Sequence, residues 1–295
     1  VTSDRPLHRK AIKLAFQIFA GRAHAHAQGT WPHLQLQRDD TGAGGILYRG
    51  RRVAGLLPAK LPQNLAEITI IGSGPSLATQ DVTRLAPHSA ILLNGAMTLA
   101  ERLPPLAIAI EDERFVWRHR EMIRHAPADC LWLLSPSVIR ALLENDPAAL
   151  AERRVVLIDS LLKPTHAARR RVDDPVIAGF VQRGAGGAGL SLDPGRGVMP
   201  AGTVAFTAMQ FALAARPGRI GLAGIDLANA AMPRFYENAG NSAASGIVTG
   251  LDRILKNFAV ARDLAATQGI ELACYSPVSA LLKIGYPHSD RLEHR

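Results

Sequence analysis

From Glu67 onward, short uninterrupted apolar runs alternate with helix-patterned segments, and that alternation leaves few folds open. "ITII" (68–71), "AILLN" (90–94), "LAIAI" (106–110), "CLWLL" (130–134), "RVVLID" (154–159), "RIGLAGID" (219–226) and "IELACYS" (270–276) read as strands. Strands apolar on successive residues need cover on both faces, which a parallel sheet flanked by helices provides. "ERFVWRHREMIRHA" (113–126), "SVIRALLEN" (137–145), "TVAFTAMQFALAA" (203–215) and "GLDRILKNFAVARDLAATQG" (250–269) read as helices. The last sets Leu251, Ile254, Leu255, Phe258 and Ala261 on one face and stops at Gly269. The fold expected is α/β, a doubly wound and mostly parallel sheet.

Two stretches interrupt the rhythm, 163–200 and 227–249. Connections this long are usually functional, and ligands in open α/β sheets bind beyond the carboxyl ends of the strands. Both stretches are therefore expected as lids at that edge. Residues 66–295 form one expected domain. Residues 1–65 form a basic arm, an amphipathic helix followed by an irregular segment or peripheral hairpin.

Four segments at the expected edge carry candidate chemistry. In "GSGPSL" the strand at 68–71 breaks into Gly72, Ser73, Gly74, Pro75 and Ser76. Glycines let a backbone come close to a ligand, and a following helix would aim free N–H groups and its positive end at an anion. The spacing matches neither GxxxxGK[ST] nor GxGxxG. The alternative is a tight strand–helix turn with a capping serine. Next, Glu111 and Asp112 end a strand ahead of Arg114. Asp112 is either a helix cap or an acid–base or nucleophilic group, and Arg114 an anion ligand or a solvated charge. Third, Arg234, Tyr236 and Glu237 stand together in "PRFYENAG". Arg234 can clamp a carboxylate or phosphate, Tyr236 can donate to a phosphate oxygen, and Glu237 offers a second base. Fourth, Gly202 and Thr203 open a helix, with Thr203 as cap, ligand donor or both.

Composition narrows the classes. At 47% hydrophobic and 20% charged, the chain can bury a sizeable core. Cys130 and Cys274 lack metal-site spacing and read as reduced thiols. His24, His26 and His33 lie in a loop without a ligand pattern, so no metal is expected. No apolar run is long enough to span a bilayer, and no secretory leader pattern appears, so a cytoplasmic location is expected. The first 60 residues hold ten Lys or Arg against three Asp, most of a net charge of +9. Within them, Ile12, Phe16 and Phe19 fall at helical spacing beside Arg9, Lys10 and Lys13. Residues 8–20 therefore suit either an anionic membrane surface or a helix packed on its own domain. Without aromatics interleaved among the cations, nucleic acid is not expected.

Taken in order, "SGPS" (73–76), "LNGA" (93–96), "DERF" (112–115), "GTVAF" (202–206), "GIDL" with "RFYEN" (224–238) and "ELACYSP" (271–277) resemble the Kdo transferases of lipopolysaccharide core biosynthesis. More distantly they resemble bacterial sialyltransferases that use CMP-sialic acid. The resemblance spans about residues 67–287 and leaves the basic arm uncovered. It implies a sialyltransferase-like fold and a metal-independent glycosyltransferase with no cofactor. The donor would be CMP-Kdo or a similar CMP-sugar, and the acceptor a lipid-linked saccharide reached from the inner face of the membrane. By position, Gly72–Ser76, with Asn94 and Gly95, would meet phosphate and ribose. Gly202 and Thr203 would lie near cytidine or the sugar carboxylate, Gly224 and Asp226 would also belong to the substrate- and nucleotide-binding set, and Arg234 and Tyr236 would meet the phosphate. The sialyltransferases place a basic histidine after the "GID" strand; 241–250 holds none. Ser73 also stands where they carry asparagine. Asp112, then Glu111 and Glu237, are the substitute bases. Rival readings are a sialyltransferase-type enzyme, a pterin pyrophosphokinase-like enzyme needing ATP, and a nucleotide binder without turnover.

Overall fold

The computed structural model describes residues 6–227, 234–236 and 247–294. Its strands are β1 (Leu34–Arg38), β2 (Gly44–Tyr48), β3 (Arg51–Leu57), β4 (Glu67–Ile71), β5 (Ala90–Leu93), β6 (Ala107–Ile110), β7 (Leu131–Leu134), β8 (Arg154–Leu157), β9 (Val181–Arg183), β10 (Gly189–Ser191), β11 (Arg219–Ala223) and β12 (Glu271–Cys274). Its α-helices are α1 (Leu7–Phe19), α2 (Gly21–His24), α3 (Glu113–Arg118), α4 (Arg120–His125), α5 (Pro136–Asn145), α6 (Val204–Ala215) and α7 (Ile247–Thr267). Two compact units interleave along the sequence. The first takes Val1–Lys60, Ile110–Phe180 and Asp193–Met199; the second takes Leu61–Ala109, Val181–Leu192 and Pro200–Arg295.

In the first unit the strands run β1-β2-β3-β8-β7. β1, β2 and β3 pair antiparallel, while β3–β8 and β8–β7 are parallel. The segment expected as an irregular arm or hairpin is thus a three-stranded meander joined to the unit's sheet. Its first strand alternates, with Leu34 and Leu36 buried and Gln35 and Gln37 exposed, the period-two pattern of a half-buried strand. β2 comes so near β1 that a Cβ on Gly44 would lie 1.9 Å from the Gln37 carbonyl oxygen. His26 holds a loop, its Nε2 lying 2.9 Å from the Pro164 carbonyl and 3.1 Å from that of Ala167.

Buried charges tie this unit together. Arg140 is fully buried; it pairs with buried Glu113, with Glu144 at 2.5 Å, and donates to the Gly29 carbonyl at 2.9 Å. Arg9, expected on a solvated face, is only 1% exposed. It donates to the carbonyls of Trp31 at 2.8 Å and Gln28 at 2.7 Å. α1 is consequently turned differently from the expectation. Ile12 and Phe16 are part-buried, with Phe16 edge-on to Trp31, but Phe19 is 86% exposed. The single helix expected at 113–126 is two, α3 and α4, parted at His119, whose ring packs on Phe115 one turn earlier.

The second unit has strand order β6-β5-β4-β11-β12, every pair parallel. Counted within the unit, that order is 3-2-1-4-5, as in doubly wound sheets, and the succession of strands, all of them parallel, reverses between β4 and β11. α6 is apolar and buried nearly all round, with Phe206 edge-on to Phe258 of α7 at 5.4 Å. The stretch 163–200 is less irregular than expected. Within it, β9 and β10 form an antiparallel hairpin in this unit. α7 begins three residues before Gly250, the expected start.

At the opening of β4, Glu67 accepts from Tyr275 Oη at 2.8 Å and from Arg291 Nη1 at 2.5 Å. Burial opposes its charge, yet the Arg291 and Tyr275 hydrogen bonds outweigh that and lower its pKa. Burial, with the Glu67 bond added, pushes Tyr275 up to about 12. Among the described residues no helix is long and apolar enough to cross a membrane.

Candidate active site

The sequence "GSGPS" leaves β4 at the reversal point, and its glycines are required by β11. A Cβ on Gly72 would stand 2.5 Å from the Gly224 carbonyl oxygen, and one on Gly74 2.6 Å from Asp226 Oδ2. Gly224 itself has φ +59 and would meet Gly72 if substituted. The two chain segments are stitched by Gly72 N–H to Ala223 O at 2.8 Å and Gly74 N–H to Gly224 O at 2.9 Å.

The turn holds a carboxylate from its own chain. Ser76 N–H donates to Asp226 Oδ2 at 3.0 Å, and Ser76 Oγ donates to Oδ1. Ser276, just past β12, donates to Oδ1 at 2.6 Å. Buried Asp226 is therefore held by neutral donors. The α-helix expected after the turn is absent: Pro75–Thr79 is a 3-10 turn of five residues. Gln80 leaves it extended because its side chain reaches the Tyr275 carbonyl at 2.6 Å. Without aligned α-helical peptides, the dipole argument for an anion at this turn lapses.

The neighbouring strand end supplies a second patch. Asn94 follows β5 with φ +50, a left-handed conformation that asparagine tolerates. Its Oδ1 is buried and meets no hydrogen-bond donor among the described residues. Gly95 is buried under Tyr236; an added Cβ would lie 1.9 Å from the ring carbon Cε1. Tyr236 is edge-on to Phe235, and Phe235 N–H donates to the Ser73 carbonyl at 3.3 Å. The segment 234–236 is thus pinned over Ser73 and Gly95, with Arg234 half-buried beside it.

Thr203 is the cap of α6, its Oγ1 accepting from Ala205 N–H at 3.3 Å. Gly202 has φ +93, and a Cβ there would sit 2.4 Å from Arg253 Nη2. Arg253 also donates to the Ala201 carbonyl at 3.0 Å. Sequence reasoning missed Arg253 and Ser276. Ser276 follows a strand's carboxyl end, a position where polar residues gather in such sheets, and this was the available signal. Arg253 gave none, since a charge beside a helix's apolar stripe is usually solvated.

In the first unit, Asp112 caps α3, its Oδ1 accepting from Arg114 N–H at 3.0 Å, and it pairs with the Arg114 guanidinium through Nε at 2.7 Å. Half-buried Glu111 accepts Ser135 Oγ at its carbonyl, at 2.7 Å. Glu237 lies outside the described residues, as do 228–233 and 238–246.

No protein-family model and no curated protein sequence matches the chain. Solved structures of a sialyltransferase are similar at low identity. A variant of CST-II in complex with CMP is 14% identical with a TM-score of 0.42, covering 78% of this chain and 89% of that one. CstII from Campylobacter jejuni with CMP-3FNeuAc gives 13% and 0.40 over the same shares. CST-II with a trisaccharide acceptor and CMP gives 14% and 0.38, covering 78% of this chain and 88% of that one. Likeness at this level assigns no role to any residue.

Proposed function

We propose that this chain is a glycosyltransferase that moves Kdo or a related ulosonic acid from a CMP donor to a hydroxyl of a lipopolysaccharide-core or other lipid-linked saccharide. One observation carries the reading. One strand away from the reversal point, at the end of β5, the buried acceptor Asn94 Oδ1 stands next to Gly95, whose face is covered by Tyr236. An unmet buried acceptor costs about 1–3 kcal/mol, which a donor on a bound ligand would offset. A ribose hydroxyl is such a donor, and the reversal point is where sheets of this order take nucleotides. The resemblance of the ordered motifs to those of Kdo transferases suggests the donor class.

The anomeric carbon of such a donor carries a carboxylate and becomes oxocarbenium-like as CMP departs. Electrostatic stabilisation of the leaving phosphate is the main demand. Arg234 and Tyr236 are the residues proposed to meet it, without a metal. Asp226 is proposed to hold the turn's shape rather than to touch substrate. The acceptor hydroxyl needs a base, and the sequence nominates Asp112, then Glu111 and Glu237.

The test supplies CMP-Kdo and CMP-sialic acid separately with a truncated core acceptor and measures CMP release and product mass. CMP release with CMP-Kdo is expected. Release with CMP-sialic acid alone moves the reading to a sialyltransferase, and CMP binding with no turnover makes the chain a nucleotide binder. A folded protein that neither binds CMP nor turns over any donor defeats the proposal. Gly95→Ala is expected to weaken CMP binding at least ten-fold, a loss of about 1.4 kcal/mol, because its methyl would displace the Tyr236 ring.

A further inference from the structure

α1 presents an apolar face that no described residue of its unit covers. Leu7, Leu14 and Ile18 are exposed and fall along one stripe with exposed Ala11 between them. Phe19 extends the apolar surface at the helix's end. The opposite face is fixed, with Arg9 bonded to the carbonyls of Trp31 and Gln28, so the helix does not turn to hide the stripe. Along one flank of the stripe stand Lys10, Gln17 and Lys13, all exposed.

That flank opens on a cavity within the same unit of about 480 Å³, lined by Lys13, Arg22, Lys163 and Arg169, with His26 and Ser137 among its other residues. No Asp or Glu lines it. None of the four cations has an ion-pair partner among the described residues. The loop that brings two of them is held in place. His26 bridges the Pro164 and Ala167 carbonyls, and Arg169 N–H donates to the Ala23 carbonyl at 2.8 Å.

Four unpaired cations around one cavity select an anion, and an apolar stripe beside its mouth selects a hydrocarbon. A phospholipid supplies both. We infer that the first unit docks on an anionic bilayer, with a phosphate headgroup in the cavity and Leu7, Leu14, Ile18 and Phe19 in the acyl boundary. A soluble phosphate would leave the stripe in water. A second copy packed antiparallel, stripe to stripe, would bring Lys10 and Lys13 against their own counterparts, and a parallel pair would leave the cavity's cations unanswered. Neither accounts for both features. The inference is independent of the transferase reading, since it concerns adhesion and not turnover.

Sedimentation of the full chain with phosphatidylcholine vesicles, with and without phosphatidylglycerol, tests it. Binding is expected only to the anionic vesicles, and it should weaken as salt rises. Ile18→Asp should abolish it. Lys163→Gln and Arg169→Gln should each weaken it about five-fold, whereas Arg51→Gln, outside the cavity, should leave it nearly unchanged. Circular dichroism checks that every variant is folded. Four results overturn the inference: no binding to anionic vesicles, or equal binding to neutral ones; an Arg51→Gln loss equal to that of Arg169→Gln, which makes the attraction diffuse; a dimer abolished by Ile18→Asp, which makes a second copy the cover; and capture of glycerol phosphate without vesicle binding, which makes the ligand soluble.

Discussion

The two units bury charge by opposite means. In the first, Arg140 and Glu113 neutralise one another inside the protein, with Glu144 and the Gly29 carbonyl completing the set. In the second, Asp226 is buried with no cation partner among the described residues and is held by Ser76 N–H and the hydroxyls of Ser76 and Ser276. The difference follows from space. At the β4–β11 junction the backbones approach too closely for a Cβ, and only short donors and main-chain N–H groups fit between them. The α3–α5 contact in the first unit leaves room for a guanidinium. Opposite charges tolerate a loose fit because their attraction is long-ranged, whereas neutral donors must be in contact.

The largest expected effect breaks the first arrangement. Arg140→Met takes the buried guanidinium away from Glu113 and should lower unfolding free energy by about 3–5 kcal/mol in urea titrations. Adding Glu113→Leu should recover much of it, as replacing a buried pair by apolar groups commonly does. The second arrangement breaks through sterics or through its acceptor. Gly74→Ala drives a methyl into Asp226 and should cost about 1–3 kcal/mol. Asp226→Asn turns an amide N–H₂ toward a donor and should cost about 1–3 kcal/mol. If Asp226→Asn is neutral in urea, the carboxylate is not what holds the turn.

A smaller effect sharpens the contrast, because the second unit also pairs the half-buried carboxylate of Glu67 with a cation, Arg291. Glu67 has a folded pKa below the ordinary value of 4.5. Its stabilisation is therefore complete above that value and is lost as pH falls through the lower folded value. Glu67→Gln should flatten that part of the acid limb of a stability–pH profile while leaving neutral-pH turnover unchanged. A parallel limb in the variant assigns the acid sensitivity to other groups. The smallest effect is one in which the units agree. Burial pushes Cys130 up to about 11 and raises Cys274 as well. Both thiols should resist a thiol reagent at pH 8 in folded protein and react fully on denaturation.

Much of the second unit's sheet was legible because each of its strands is a continuous apolar run, a pattern with one physical cause. β1–β3 escaped because "LQLQR" is short and alternating and is followed by glycines that read as loop. The turn at Gly72–Ser76 was legible as a place of close approach. Its occupant was not, since Asp226 lies 150 residues away from Ser76 in the chain. The buried faces of Arg9 and Arg140 were equally hidden. A charge defaults to solvent until tertiary structure supplies its partners, and no local pattern announces them. Thr203 could be read as a cap or as a ligand group, and the fold uses it as a cap.

The interleaving of the units bears on how the protein comes to exist. The chain crosses between them at Lys60, Ala109, Phe180, Leu192 and Met199. No single cut releases either one, so deleting the first 60 residues strips three strands from a sheet rather than freeing a tail. During synthesis the first unit becomes complete once Met199 has left the ribosome. The second still awaits β11, α7 and β12, so its glycine-lined junction forms only after the first unit's chain is complete.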